Sequence, residues 1–155
     1  VLSQAPPAST AHGRVTTPAS YVPVPWLPDG HSQTLWAALL RRVPPLATRR
    51  ERIELPDGDF VDLAHVGPAG APCVLVLHGL EGNLDSPYAR ALLGRVAARG
   101  WHGVLLHFRG CSGEPNRLPR SYHSGDTSDL AHVAGLLAAR SPALAIAGYS
   151  LGGNV

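Results

Sequence analysis

Ala143-Leu144-Ala145-Ile146-Ala147-Gly148-Tyr149-Ser150-Leu151-Gly152 is a short apolar run that feeds directly into a Gly-x-Ser-x-Gly motif. The run reads as a β-strand of a covered sheet. The motif matches a nucleophile elbow, a sharp strand-to-helix turn that lifts a serine hydroxyl above the end of a sheet. Such a turn strains the backbone at Ser150 and packs its neighbours closely, so a Cβ at position 148 or 152 would clash. Five residues of motif are equally compatible with an ordinary strand-end turn and structural glycines. What precedes them separates the two readings.

Upstream, Cys73-Val-Leu-Val-Leu77 is a continuous apolar run followed by the Gly-rich loop His78-Gly79-Leu80-Glu81-Gly82. Ser86 and Pro87 open a helix as N-cap and first helical residue. Leu92 and Val96 share one of its faces, and Gly100 suits a left-handed stop. Gly103–Phe108 is the next apolar strand. The loop Arg109–Gly125 then leads to a second helix, with Asp126 as N-cap, Asp129 near its positive end, and Leu130, Val133 and Leu137 as its apolar stripe. Strand, helix, strand, helix, strand with apolar strands means a parallel sheet with helices on both faces. Ahead of it, Glu51–Leu55 and Asp59–His65 flank the turn residues Pro56-Asp57-Gly58 and read as a β-hairpin at the sheet edge. The fold class is therefore α/β, with a mixed, mostly parallel sheet.

Three segments follow along the chain. Residues 1–20, rich in Ala, Pro, Ser and Thr, read as a flexible leader. Residues 21–49 form a Pro-rich extension, in which Tyr21–Pro28 lies extended across the body and His31–Leu40 forms a short helix before Pro44-Pro45. Residues 50–155 carry the α/β domain.

Composition narrows the functional classes. The chain has 155 residues, 45% of them hydrophobic and 15% charged, enough for a core. It contains no Met, unlike an ordinary gene-product start, and its 13 basic residues are all Arg. No run approaches a membrane span, and no secretory signal is visible. A net charge of +2 with scattered arginines does not make a nucleic-acid face, and Arg41-Arg42 and Arg49-Arg50 read as solvated surface. Without Lys there is no P-loop, so nucleotide binding is not expected. The eight histidines show no metal-ligand spacing, and His102 and His107 point to opposite faces, so no metal or other cofactor is expected. Cys73 and Cys111 fall too far apart for a disulfide in parallel strands, which suits reduced thiols and a cytoplasmic location.

The loop His78–Gly82 sits where an oxyanion-hole loop belongs. Leu80 N–H is its natural donor, and Leu151 N–H, after the serine, is the second. Gly79, Gly148 and Gly152 are the structural glycines of this site. Loop 109–125 is long and aperiodic. Arg109, Glu114, Arg117 and His123 either order it as the wall of an acyl or alcohol pocket, or belong to a solvated surface loop.

Arg109-Gly-Cys-Ser-Gly-Glu-Pro-Asn-Arg117, Ser121-Tyr-His-Ser-Gly-Asp126, Gly148-Tyr-Ser-Leu-Gly-Gly-Asn154 and His31-Ser-Gln-Thr-Leu35 together resemble the YheT-like branch of the α/β-hydrolases, from about Tyr21 to Val155. The resemblance implies the N-terminal portion of an α/β-hydrolase fold that ends just after the elbow. It also implies hydrolysis of a small-molecule carboxylic ester, with Ser150 as nucleophile and Leu80 and Leu151 as oxyanion donors. The triad of this fold runs Ser, then Asp or Glu, then His, and the five residues after Ser150 hold neither. The triad Asp and His are thus not expected within this chain. His78 is expected to shape its loop rather than to act as base. Five residues are also expected to be too few for the helix after the elbow. Two alternatives stay open: a non-catalytic fragment or truncated product, and an acyltransferase using the same serine. Peripheral lipid contact by the apolar Tyr21–Leu27 stretch competes with its packing on the sheet.

Overall fold

The hairpin turn Pro56-Asp57-Gly58 and the apolar runs of the sequence build one five-stranded sheet in the computed structural model, which describes residues 21–36 and 43–155. Strands β1 (Arg49–Glu54) and β2 (Phe60–Val66) form the hairpin; β3 (Cys73–Leu77), β4 (His102–His107) and β5 (Leu144–Gly148) form the parallel part. The order is β1-β2-β4-β3-β5, with β2 antiparallel to β1 and β4, and β3 parallel to β4 and β5. The hairpin is at one edge as expected, and β5, the strand that carries the elbow, is at the other.

Alternate residues of each strand face opposite sides, and each side meets one helix. Leu75, Leu77, Val104 and Leu106 cluster with Val133 and Leu137, which come from the helix Ser128–Arg140. Val76, Ala64 and Leu105 cluster with Ala89 and Leu93, which come from the helix Pro87–Ala98. The continuous apolar strands are thus explained by helices on both faces. On the helix Pro87–Ala98, here α2, the buried row is Ala89, Leu93 and Val96, with Leu92 half-buried beside it. Gly100 takes the left-handed conformation after it, at φ +71°.

Of the two expected helix caps, Ser86 stands as the N-cap of α2 and Asp126 is corrected. Ser86 occupies the N-cap position of α2, but its Oγ accepts from Asn83 N–H at 3.2 Å and closes the preceding turn. The N-cap position of α3, the helix Ser128–Arg140, is Thr127, because the Asp126 carboxylate is held by Arg120 and the Ser128 hydroxyl at 2.8 Å. A guanidinium is a stronger partner for a carboxylate than a backbone amide. Arg49 and Arg50 are exposed, as expected of solvated surface, and each also pairs with a carboxylate, Arg50 with Asp62 at 2.6 Å and Arg49 with Glu51 at 3.4 Å.

A second correction concerns the residues after the elbow. Leu151–Asn154 do form a helical turn, α4, with Gly153 N–H donating to Ser150 O at 2.9 Å and Val155 N–H to Leu151 O at 3.1 Å. The nucleation cost that forbids so short a helix in isolation is met by β5 and the elbow, which place the first residues of the turn.

The structure divides into two compact units, Val1–Leu39 and Leu40–Val155. In the first, helix α1 (Gly30–Leu35) is capped by Asp29, whose carboxylate accepts from Ser32 N–H at 2.9 Å. Trp26 and Trp36 meet edge to face at 5.2 Å, and Tyr21, Val22 and Trp26 are exposed. The 1–20 leader, the helix beyond Trp36 and the Arg41-Arg42 pair lie outside the described residues. No helix among the described residues is long and apolar enough to cross a membrane.

Candidate active site

The end of β5 turns sharply into α4, and Ser150 sits at the turn with φ +52° and ψ −118°. This is a backbone conformation that costs a non-glycine residue of order 1–3 kcal/mol and persists only where its surroundings enforce it. The enforcement is close packing. A Cβ on Gly148 would collide with the Gly152 carbonyl, and one on Gly152 would lie 2.5 Å from His78 O and 2.8 Å from Leu77 C. Tyr149 N–H donates to Leu77 O at 3.1 Å, continuing the β3–β5 ladder into the elbow. The side chain of Ser150 stands exposed at the top of the sheet.

The loop after β3 lies against it. A Cβ added at Gly79 would lie 3.4 Å from Ser150 Cβ and 3.6 Å from Tyr149 O, so the loop runs directly beside the elbow. Gly82 N–H donates to Gly79 O at 3.0 Å and closes a tight turn over Leu80 and Glu81. Glu81 is the second non-glycine residue at φ +52°. Leu80 has an exposed side chain, and neither its N–H nor that of Leu151 donates to any atom among the described residues.

His78 is fully buried beneath this loop. Its Nδ1–H donates to Gly79 O at 2.6 Å, and its Nε2 accepts from Phe108 N–H at 3.1 Å. A carbonyl only accepts and an amide only donates, so these partners select the neutral Nδ1–H tautomer. Burial pushes the pKa of His78 down, against the Gly79 carbonyl that favours the charged form. With both nitrogens committed, His78 shapes the loop and is not placed to take a proton from Ser150.

Loop 109–125 is held by ions. Arg109 is buried, and its guanidinium meets Asp57 at 2.8 Å, Asp59 at 2.9 Å and Asp129 at 2.7 Å. Glu114 pairs with Arg52 at 2.5 Å, and Arg52 also binds Asp62 while lying 3.7 Å over the Phe60 ring. Burial alone would raise the pKa of Asp62, but Arg52, Arg50 and the Ser112 hydroxyl hold it far below the usual carboxylate range. Arg117 pairs with Glu54 and donates its N–H to Asp59 at 3.0 Å. His123 is exposed and accepts from Gly125 N–H at 3.1 Å. The side chains of Arg109, Glu114 and Arg117 therefore run to the hairpin.

Different residues of the loop touch the site. Tyr122 OH accepts from Glu81 N–H at 2.8 Å, and Asn154 Nδ2 of α4 donates to Ser124 O at 3.2 Å. From α2, Tyr88 OH accepts from Gly79 N–H at 2.9 Å, and the Tyr88 ring meets that of Tyr149 at 4.4 Å. Sequence reasoning missed both tyrosines: a lone aromatic residue in a loop or first helical turn carries no pattern that announces its partner.

Residues 72–155 match the family model described as alpha/beta hydrolase fold. The chain belongs to the alpha/beta hydrolase family. Within it, the chain is 46% identical over 154 residues to the Escherichia coli protein named "Putative esterase YheT", covering 95% of this chain and 45% of that one. It is 30% identical over 146 residues to the human protein named "Phospholipase ABHD3", covering 86% of this chain and 36% of the relative. The fold of this chain is similar to that of the solved DcsB complex with its substrate analogue, at TM-score 0.59 and 12% identity, over 69% of this chain and 38% of that one. The chain thus spans less than half the length of these relatives, and the YheT-like resemblance read from its motifs is supported by the first of them.

Proposed function

We propose that the protein is a carboxylic ester hydrolase that works through an acyl-enzyme on Ser150. The observation that carries the reading is the elbow. An exposed serine at φ +52° stands beside a loop whose Leu80 N–H is unpartnered among the described residues. In this mechanism Ser150 Oγ attacks the acyl carbon and its proton passes to a histidine base. The carbonyl electron pair moves onto oxygen, where Leu80 and Leu151 N–H hold the negative charge. Collapse re-forms the carbonyl and breaks the ester C–O bond, and the alcohol leaves with the proton held by the base. Water then attacks the acyl-enzyme with the same base, releasing the carboxylic acid and restoring Ser150 O–H.

None of the four buried histidines suits the role of base. His78 is committed, His65 and His102 bond to each other at 3.0 Å, and the buried His107 bonds to Asp62 O. In this fold the triad carboxylate and His follow the serine along the chain, so the reading takes both from outside residues 1–155 and expects these residues alone to be inactive. Arg109, through Asp57, Asp59 and Asp129, and Glu114, through Arg52, order the loop that would wall the substrate pocket, with Arg117 and His123 on its exposed side. The thiols of Cys73 and Cys111 are free, which supports a reducing, cytoplasmic setting.

The test is hydrolysis of short-chain p-nitrophenyl esters by the complete gene product carrying these residues. Ser150→Ala is expected to lower kcat by about 10⁴-fold or more. Wild-type turnover in that variant would overturn the proposal.

A further inference from the structure

The turn Gly79–Gly82 contains four backbone N–H groups, and three are spoken for. Gly79 N–H donates to Tyr88 OH at 2.9 Å, Glu81 N–H to Tyr122 OH at 2.8 Å, and Gly82 N–H to Gly79 O at 3.0 Å. Leu80 N–H lies between the two amides that tyrosines hold, and has no partner among the described residues. The loop is also fixed from beneath, where His78 Nδ1–H binds Gly79 O at 2.6 Å. We infer that Tyr88 and Tyr122 are positioning residues for the oxyanion hole: their hydroxyls hold the amides on either side of Leu80 so that, of this turn's amides, Leu80 N–H is the one aimed at the developing charge, beside Leu151 N–H.

Three observations favour this over simple packing. First, Glu81 sits at φ +52°, a conformation that needs enforcement, and its N–H is the group Tyr122 takes. Second, each tyrosine ring is anchored in a part of the site that must stay in register with the loop. Tyr88 meets Tyr149, the neighbour of Ser150, at 4.4 Å; Tyr122 stacks on Phe108 at 5.1 Å, and Phe108 N–H is the partner of His78. Third, a Cβ on Gly82 would lie 2.8 Å from Tyr88 OH, so the hydroxyl fills a place that the glycine leaves open. Tyr88 thus ties the loop to the elbow, and Tyr122 ties it to the end of β4. An oxyanion donor acts only if it is held where the charge will appear, since a donor that must reorganise loses the advantage of preorganisation.

This inference rests on the esterase reading, and its test separates the two. Tyr88→Phe and Tyr122→Phe keep the rings and remove only the hydroxyls, and would be made in the complete gene product beside Ser150→Ala. Each is expected to lower kcat for a p-nitrophenyl ester by about 10-fold, less than the 10²–10³ of losing a donor outright, with KM changed by less than about 2-fold. Affinity for a trifluoromethyl ketone, whose adduct with the serine carries an oxyanion, is expected to fall by the same factor as kcat. Thermal melting is measured for every variant; if one hydroxyl proves necessary for folding, the other variant decides. Loss of activity in Ser150→Ala together with wild-type kcat and ketone affinity in a folded Phe variant would overturn the positioning role and leave the esterase reading standing. A wild-type protein without ester turnover would overturn both.

Discussion

At the residue scale the site is a set of close approaches that admit one amino acid each. Gly148 and Gly152 have no room for a Cβ, because backbone atoms occupy the space, those of Gly152 and Gly153 for Gly148 and those of Leu77 and His78 at the end of β3 for Gly152. Backbone cannot swing aside as a side chain can, so Gly152→Ala is expected to lower stability by about 3 kcal/mol or to prevent folding, as overpacking of a rigid site does. Gly135→Ala, on an exposed stretch of α3 where a Cβ meets nothing within 4 Å, serves as the control and is expected to be neutral or slightly stabilising. Urea unfolding of both variants checks this. The glycines were readable from the motif, since strain at Ser150 follows from its spacing. Tyr88 and Tyr122 were not, because a hydroxyl's partner is chosen by how the chain folds back, nine residues away for Tyr88 and 41 for Tyr122.

At the scale of elements, the hairpin and loop 109–125 are joined by buried charge. Arg109 faces Asp57, Asp59 and Asp129, and Asp59 is fully buried. Removing the guanidinium by Arg109→Met strands Asp59 and Asp129 without a counter-charge, and is expected to cost about 3–5 kcal/mol in urea unfolding. Arg117→Ala, whose partner Glu54 is exposed, is expected to change stability little. The loop's charged residues were legible as candidates, but not their partners: Arg109 and Asp59 are fifty positions apart and meet only once β2 pairs with β4. A second buried pair joins the same strands. His65 Nδ1 and His102 Nε2 lie 3.0 Å apart, with Glu51 3.2 Å from His65 and Arg49 and Arg140 nearby. Burial, then Arg49, pushes the His65 pKa down to about 4, and Glu51 opposes them only in part. Because the folded value lies below the unfolded one, the contribution is complete above about pH 6.5 and is lost as pH falls toward 4. Unfolding free energy is expected to drop across that window by on the order of 3 kcal/mol. The drop should flatten in His65→Gln; an unchanged slope in that variant would count against the buried pair.

At the scale of the molecule, the asymmetry between the two sheet edges stands out. The hairpin edge is dressed with Arg49, Arg50 and Arg52, while β5 leaves Ile146 half exposed and its outer backbone unpaired within the described sheet. An apolar edge of this kind templates pairing with another chain. The 155 residues on their own are expected to self-associate, and Ile146→Lys to reduce the scattering measured by light scattering without lowering the melting temperature.

Local information sufficed for the strands, the alternation of helices and strands, the hairpin and the elbow glycines, because period, turn chemistry and backbone strain are properties of neighbouring residues. It did not suffice for the N-cap of α3, where Arg120 takes the Asp126 carboxylate and Thr127 stands at the cap. It also underestimated α4, since a helical turn too short to nucleate alone is supported by the strand and elbow that precede it. Above all, the motif could name Leu80 as a candidate donor, but that its N–H is the free one among four followed from the turn's own Gly82–Gly79 bond and from two tyrosines of α2 and loop 109–125 arriving at it. Hydrogen-bond accounting is settled by the assembled chain, because each donor's partner is whatever the packed neighbours bring within reach.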